Sequence, residues 1–380
     1  MQIRNMTVMG AGDMGHGIAE VMLLAGLRVV LHDLDPAGLK AGMEQISKSL
    51  DKLVEKQVVD GARAQAIFSE NLVGETDPVQ AVGAADLVIE AVPEDLELKK
   101  KVFQIMDDSA PAHAILASNT STIRITEIAR ATRRPDRVVG LHFFNPAVLM
   151  RLVEVVKGEQ TSQAVVDQCV IFAAACGKVP VVVNKDVPGF IVNRVQAPSN
   201  ILLQCLLDAG VDPGAVDAGF RKMGLAMGPY EVMDFTGLDV TVQGSEYLAA
   251  QVHSDYTPCR VLQEKVKAGH LGKKSGQGLF DWSGGRPQID PNQISNDLDL
   301  VDILAVTVNE GCRLVEMGVC EVQDVDVAVV NGTGNPKGPL AAARDIPPLA
   351  LGLKLEALAQ RFNKEIFMPV ELLKQGGYRY

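Results

Sequence analysis

The sequence predicts an α/β domain with a doubly wound, mostly parallel sheet, followed by two all-α domains that form a tandem repeat. Three observations predict this fold class. Short apolar strands alternate with helices to about residue 185, the apolar period then becomes helical, and one helical pattern occurs twice. We place the domains at residues 1–186, 187–286 and 295–380, with a polar, proline-containing linker over 287–296.

Composition excludes several classes of protein. The 380 residues are 47% apolar and 22% charged, and no apolar run approaches membrane-spanning length. A net charge of −11 and only 4% aromatic residues argue against nucleic acid as a partner. Nothing at the start of the chain resembles a signal or transit peptide, and the six cysteines form no C-x-x-C pair. We therefore expect a cytoplasmic protein with reduced thiols.

A G-x-G-x-x-G motif stands between the first predicted strand and an apolar helix. Gly10 allows the tight turn, Gly12 lets the backbone approach a pyrophosphate, and Gly15 lets helix and strand pack closely. The helix N-terminus faces the phosphate charge, so we count Asp13 and Met14 in the motif among the cofactor-binding residues. In this context the motif predicts a Rossmann-type dinucleotide site.

The second strand, Arg28–His32, ends at Asp33, which lies 18 residues after Gly15. An acidic side chain at this point accepts hydrogen bonds from the adenosine ribose hydroxyls and repels a 2′-phosphate. Residues 32–35 include no Arg or Lys that could hold such a phosphate. The predicted cofactor is therefore NAD and not NADP.

Further strands are predicted after these two. The first strand is predicted at residues 3–9. The later strands are predicted at residues 72–73, 86–92, 114–117 and 178–183. Ligand groups in open α/β sheets lie just beyond the carboxyl ends of the strands. The residues at or just past such ends are Gly10, Asp33, Glu94, Ser118 and His142. We expect them to share one cleft.

A base and its orienting carboxylate are predicted from His142 and Glu154. The two residues lie equally far from the middle of a turn that Asn145-Pro146 introduces between two apolar strands. Folding back at this turn would place them side by side. The carboxylate would then fix the imidazole tautomer, and the other ring nitrogen could take a proton. A buried structural histidine with a surface glutamate is the alternative that these residues alone leave open.

The helical half contains two similar segments. The matching residues, in order, are Asp208–Val211, Val216-Asp217 and Gly228-Pro229 in the first copy, and Glu316–Val319, Val325-Asp326 and Gly338-Pro339 in the second. The spacings differ by a single residue, which predicts two copies of one helical unit packed on each other. The remaining histidines show no metal-ligand spacing, so we expect no metal site.

At this point the chain resembles the L-3-hydroxyacyl-CoA dehydrogenases, a family that includes 3-hydroxybutyryl-CoA dehydrogenase. The motifs that carry the resemblance are Gly10–Gly17, Ser118–Ser121, His142–Pro146, Glu154, Pro188–Arg194, Met227–Pro229 and Gly272–Gly278. They run in family order to about residue 282. The segment from about 295 to 380 resembles the second helical domain of the dehydrogenase part of multifunctional fatty-oxidation proteins, and no hydratase sequence is attached.

The resemblance implies roles for the matching residues. His142 would remove the C3 hydroxyl proton as hydride leaves C3 for the nicotinamide, and Glu154 would hold His142 and stabilise its cation. Ser118 and Asn193 would bond the reacting oxygen and the thioester end of the substrate. The positions that match cofactor contacts are Glu94, Lys99, Asn145 and Lys274, and those that match coenzyme A contacts are Ser49 and Lys56.

Plainer interpretations of four of these residues stay open. Asn193 could be a helix N-cap or a polar residue near a domain hinge. Ser49 and Lys56 could belong to a solvated helix face, and Lys274 to an exposed basic turn. The second copy contains no counterpart of Asn193, so we expect that copy to be structural, in either a homodimer or a pseudo-dimeric monomer.

The function that the resemblance implies is reversible, NAD-dependent oxidation of an L-3-hydroxyacyl-CoA to the 3-ketoacyl-CoA. Two alternatives remain. One is a dehydrogenase of a free 3-hydroxy acid such as a sugar acid or carnitine. The other is a regulator that binds NAD or acyl-CoA without catalysis.

Overall fold

The computed structural model describes residues 3–380. Its strands are β1 Asn5–Met9, β2 Arg28–His32, β3 Leu72–Glu75, β4 Leu87–Glu90, β5 Ile115–Ser118, β6 Val138–Phe143, β7 Leu152–Val156 and β8 Val179–Val183. They form one sheet in the order β3-β2-β1-β4-β5-β6-β7-β8. All neighbouring strands are parallel except β6 and β7, which are antiparallel. The strand order reverses at β1, as the predicted doubly wound sheet requires.

The helices fall into two groups along the chain. Those between strands are α1 Asp13–Leu24, α2 Pro36–Glu55, α3 Gly61–Asn71, α4 Pro78–Val82, α5 Leu96–Ser109, α6 Ile125–Ala129 and α7 Gln163–Ala175. Those that follow the sheet are α8 Val192–Asp208, α9 Pro213–Lys222, α10 Pro229–Thr236, α11 Leu238–Gln251, α12 Arg260–Lys267, α13 Leu300–Glu316, α14 Val322–Thr333, α15 Pro339–Ala343, α16 Pro348–Phe362 and α17 Glu371–Lys374.

Strands β4 to β7 are buried along their whole length, because they lie in the middle of the sheet and are apolar on both faces. Helix α1 packs its apolar residues, among them Ile18 and Met22, into the same core. Helix α2 begins at Pro36 and ends at Glu55. Asp35 caps it by accepting hydrogen bonds from two backbone N–H groups of the first turn.

Two predicted strands are longer than those observed. The first begins at Asn5 and not at residue 3, and the N–H groups of Arg4 and Asn5 donate to the Asp86 carboxylate. The predicted strand over 86–92 ends at Glu90, whose own carboxylate accepts the N–H of Val92 at 2.7 Å. In both places a side-chain oxygen takes a backbone donor that the strand would have used.

The chain divides into two compact units. The first runs to Ile191 and also includes Gly318–Gly338, and the second consists of Val192–Met317 and Pro339–Tyr380. Residues 318–338 carry α14, which packs against β7 and β8. Backbone hydrogen bonds from Arg151 to Asn331 and from Asn184 to Val319 attach this segment to the sheet. One part of the second helical copy therefore covers β7 and β8.

The internal repeat is visible in the backbone. Helices α8 to α11 correspond in order to α13 to α16. The glycines that follow the first helix of each copy, Gly210 and Gly318, have φ angles of 80° and 70°. An added Cβ at Gly228 would lie 2.2 Å from the Asp217 side chain, and one at Gly338 would lie 2.2 Å from that of Asp326. Each copy therefore uses the same close approach of a glycine to a carboxylate before its third helix.

Candidate active site

The glycine loop has the geometry of a phosphate-binding turn. Gly10 has a φ of 105°, and an added Cβ there would lie 2.8 Å from the Ala91 carbonyl oxygen. An added Cβ at Gly15 would lie 1.8 Å from the Gly10 carbonyl oxygen, so α1 and β1 approach as closely as the sequence predicts. Gly12 is exposed, and an added Cβ there meets nothing within 4 Å. The loop therefore offers open backbone at the N-terminus of α1, where a pyrophosphate would fit.

Asp33 lies beside this loop. Its Oδ2 accepts the N–H of Ala11 at 2.9 Å, and its Oδ1 accepts the N–H of Asp35 at 3.0 Å. The carboxylate is therefore fixed between the glycine loop and the cap of α2. Of the other two predicted contacts here, Asp13 is exposed in the first turn of α1 and Met14 is partly buried. Loop, helix end and carboxylate fit the adenosine and pyrophosphate parts of NAD.

His142 and Glu154 are direct neighbours. They are paired across the antiparallel strands β6 and β7, and the His142 Nδ1 lies 2.6 Å from the Glu154 Oε2. The other carboxylate oxygen of Glu154 accepts the N–H of Ile191 at 3.0 Å. Because Glu154 occupies Nδ1, the imidazole presents Nε2 as the nitrogen that can exchange a proton.

Both members of the pair are buried, His142 with 5% and Glu154 with 0% of its surface exposed. The rings of Phe144 and Phe190 lie 4.3 and 5.7 Å from the imidazole, measured between ring centroids. Apolar surroundings strengthen the interaction between a carboxylate and an imidazolium because water screens it less. The geometry is that of a positioned acid–base group.

A buried polar network lies at the ends of β4 and β5. The Ser118 hydroxyl donates to the Glu90 Oε2 at 2.6 Å, and the Lys99 ammonium lies 2.7 Å from the Glu90 Oε1 and 3.2 Å from the Glu94 Oε2. Burial raises the pKa of Glu90, although Lys99 and Ser118 oppose the shift. Burial acts in the same direction on Glu94, but there Lys99 and neighbouring hydroxyls outweigh it, and the pKa falls below its usual value.

The resemblance gives Glu94 and Lys99 the same role as cofactor contacts, but within this network the two side chains differ in exposure. Glu94 is on the surface and accepts hydrogen bonds from the strand-end loop, whereas the Lys99 side chain is only 2% exposed. Ser118 is fully buried, whereas Ser121 is partly exposed. Glu90 and Ser121 were missed by sequence reasoning. The only available signal for Glu90 was an acidic residue inside an otherwise apolar strand.

Ser49, Lys56 and Asn145 line one cleft of about 460 Å³. Its walls are α1, α2 and the loop that connects β6 to β7. Lys48 and Lys52 also line it, so three lysines at a spacing of four residues share one face of α2. The predicted pair of coenzyme A contacts thus belongs to a larger basic surface, which sequence reasoning did not select.

The floor of the cleft is polar as well. The Ser49 hydroxyl donates to the Glu20 Oε1 at 2.6 Å, and burial raises the pKa of Glu20 despite this bond. Lys178 anchors the β6–β7 loop. Its ammonium donates hydrogen bonds to the carbonyls of Ala147 and Met150 at 2.5 and 2.8 Å. Burial lowers the pKa of Lys178.

Asn193 and Lys274 lie in the second unit. Asn193 is a partly buried residue in the first turn of α8. The Lys274 ammonium lies 2.6 Å from the Asp239 Oδ2, and the neighbouring Lys273 is positioned over the Phe235 ring at 4.2 Å.

Two family models account for almost the whole chain. Residues 5–187 match the NAD binding domain of 3-hydroxyacyl-CoA dehydrogenase, and residues 189–282 and 301–376 match its C-terminal domain. The chain belongs to the 3-hydroxyacyl-CoA dehydrogenase family. This confirms the predicted family, the fold class and the NAD cofactor, and it identifies the protein as an NAD-dependent oxidoreductase of 3-hydroxyacyl-CoA.

Individual relatives agree with this assignment. A probable 3-hydroxybutyryl-CoA dehydrogenase of Bacillus subtilis is 40% identical over 286 residues, which cover 74% of this chain and 98% of that protein. The fatty acid oxidation complex subunit alpha of a Psychrobacter species is 35% identical over 358 residues, which cover 88% of this chain and 49% of that protein. The crystal structure of 3-hydroxybutyryl-CoA dehydrogenase from Escherichia coli K12 aligns with a TM-score of 0.88 at 29% identity, covering 99% of this dehydrogenase and 98% of that chain.

Two kinds of feature are absent from residues 3–380 of the dehydrogenase. No helix there is long and apolar enough to cross a membrane. No group of three or more His, Cys, Asp or Glu side chains in the same range is arranged to hold a metal ion.

Proposed function

We propose that His142 and Glu154 form the acid–base pair that takes the proton of the C3 hydroxyl when NAD oxidises an L-3-hydroxyacyl-CoA to the ketone. The observation that carries this proposal is the 2.6 Å contact between the two side chains across β6 and β7. His142 Nε2 takes the hydroxyl proton, and Glu154 stabilises the resulting imidazolium. Bound NAD supplies the acceptor for the hydride that leaves C3. Asn193 is proposed to bond the thioester end of the substrate.

His142→Gln should lower NADH-linked turnover by ~10²- to 10⁴-fold, the typical contribution of a positioned acid–base group. Glutamine keeps a polar side chain at this position but does not accept and return a proton. NADH absorbance should be followed with a panel of 3-hydroxyacyl-CoA and 3-ketoacyl-CoA esters, with His113→Gln as control because His113 is half exposed and pairs with Asp86. Turnover of the His142 variant close to that of the control would contradict the proposal. A non-catalytic regulator, in contrast, would show no turnover even before substitution.

We further propose different roles for the two serines in the segment Ser118–Ser121, which follows β5. Ser121 bonds the reacting oxygen, and Ser118 stabilises the segment through its hydrogen bond to Glu90. The support is their burial. The Ser118 hydroxyl is fully enclosed and donates to Glu90, whereas Ser121 is partly exposed next to Glu94.

Ser118→Ala should lower the melting temperature, since it leaves the buried Glu90 without one partner at a cost of ~1–3 kcal/mol. Ser121→Ala should lower kcat and leave the melting temperature near that of the wild type. Thermal unfolding and steady-state kinetics on both variants distinguish the two roles. The assignment is reversed if Ser118→Ala is fully stable and alone loses activity.

The cleft with Ser49 and Lys56 is proposed as the site for the phosphate-bearing end of coenzyme A. Lys48, Lys52 and Lys56 are all exposed along its α2 wall. Like charges four residues apart destabilise an isolated helix slightly, so stability does not explain this row. Three cations on one wall match the several negative charges of a coenzyme A nucleotide.

Lys52→Glu should raise the KM for acetoacetyl-CoA about tenfold through loss of a charge-assisted contact, without lowering the melting temperature. The KM for acetoacetyl-pantetheine, which lacks the nucleotide phosphates, should stay unchanged. Lys40→Glu is the matched control, because Lys40 lies on the same helix but lines a different cleft. Equal effects on both thioesters would contradict the proposal, and faster turnover of free acetoacetate than of its thioester would favour a dehydrogenase of free acids.

For the assembly we propose a pseudo-dimeric monomer in which the second helical copy replaces a partner subunit. Helices α8 and α13 pack on each other within the second unit, where the buried Arg194–Glu310 ion pair has a separation of 2.6 Å. Residues 318–338 cover β8. We also propose a cytoplasmic location, supported by the free thiols of all six cysteines.

Light scattering of the full chain should give a mass near that of one 40.7 kDa chain. A chain that ends at residue 286 should associate or precipitate, because it exposes the apolar faces of α8 and of the β8 edge. A shortened chain that stays soluble in the same assembly as the full chain would contradict the pseudo-dimer.

A further inference from the structure

Strands β2 and β3 end side by side at the carboxyl edge of the sheet. They are parallel, and His32, the last residue of β2, is in register with Glu75, the last residue of β3. Asp33 follows β2, and Asp77 follows Glu75 after one residue. In a sheet of this kind the adenosine ribose of the dinucleotide lies at the end of β2. Acidic residues of both strands therefore lie at the ribose end of the cofactor site.

The three carboxylates are held by backbone N–H groups. Asp33 accepts from Ala11 and from Asp35, as described above. The Glu75 Oε1 accepts the N–H groups of Thr76 and Asp77, each at 2.8 Å. These bonds fix the positions of the carboxylates, and aspartate and glutamate side chains are ordinarily negatively charged in neutral solution.

Asp77 caps α4 and accepts the N–H of Val79 at 2.9 Å. Its bonds to the backbone N–H groups of Val79 and Gln80 lower its pKa.

His32 lies among these carboxylates and does not offset them. Only 4% of its surface is exposed, and burial lowers its pKa although Asp33, Glu75 and Asp77 act in the opposite direction. Its Nε2 is buried and has no hydrogen-bond partner among the described residues. The imidazole is therefore neutral near pH 7, and the negative potential at this edge stays uncompensated by it.

We propose that Glu75 and Asp77 determine the preference for NAD over NADP together with Asp33. The three carboxylates surround the position of the ribose 2′-oxygen with negative charge, which repels the additional phosphate of NADP. Asp33 also competes for the ribose hydroxyls, but Glu75 and Asp77 act through charge alone. Replacing Asp33 by itself therefore leaves two of the three repulsive charges in place.

A purely structural role for Glu75 and Asp77 makes a different prediction. As a loop acceptor and a helix cap, they would need an oxygen in the right place but no charge. Glu75→Gln and Asp77→Asn keep that oxygen and remove only the charge. Asp60→Asn is a matched control, because Asp60 caps α3 through the same two kinds of backbone bond.

The experiment measures the dissociation constants of NADPH and NADH by isothermal titration calorimetry on the full-length protein. We expect Glu75→Gln and Asp77→Asn each to tighten NADPH binding about 3- to 5-fold at low ionic strength and to leave NADH binding unchanged. The effect should shrink in ~1 M salt, where the Debye length is ~3 Å. The triple variant with Asp33→Asn should gain more than Asp33→Asn alone. Thermal unfolding of each variant verifies that the caps are intact.

The proposal fails if the two variants change NADPH binding no more than Asp60→Asn does. It also fails if they change the binding of NADPH and NADH by the same factor, which would indicate altered loop structure. If Asp77→Asn unfolds α4, Glu75→Gln alone decides the outcome.

Discussion

The antiparallel pairing of β6 with β7 is the constraint on which the contact between His142 and Glu154 depends. Every other neighbouring pair in the sheet is parallel, and parallel neighbours bring residues from distant parts of the chain together. The single antiparallel step places His142 opposite Glu154 with only a short loop between them. Both side chains project from strands that are buried along their whole length, so the pair has a rigid support. A site built on such strands needs little reorganisation when a substrate arrives.

A hydrogen bond and aromatic contacts hold the His142–Glu154 pair in place. Glu154 is held by the Ile191 N–H, and the imidazole is flanked by two phenylalanine rings. One strand away, Asn119 accepts the N–H of Phe143 and joins the β5 loop to the end of β6. This bond joins the strand that carries His142 to the segment that contains the two serines. A separate group of charged side chains, the Glu90–Lys99–Glu94 cluster, lies at the end of β4 and is held together by two ion pairs.

Much of this could be predicted from sequence, because the decisive relations are local. The glycine spacing fixes a turn whose neighbours are its own strand and helix. His142 and Glu154 lie equally far from the middle of the turn that Asn145-Pro146 introduces, so their pairing needs only one reversal of the chain. Ser118 and Ser121 could not be ranked in this way. Which hydroxyl is buried depends on Glu90, which lies 28 residues earlier on a neighbouring strand. The packing of α14 against β7 and β8 could not be predicted from the sequence either. A repeat pattern predicts that a helix forms, but not which surface it packs against.

The attachment of the β6–β7 loop by Lys178 has a consequence for the kinetics of the enzyme. Two hydrogen bonds from one ammonium group oppose an outward movement of the segment between Ala147 and Met150. These bonds restrain the wall that the segment gives to the cleft with Ser49 and Lys56. We expect motions on the microsecond to millisecond scale, which often limit turnover, to be smaller in this loop than in loops without such bonds.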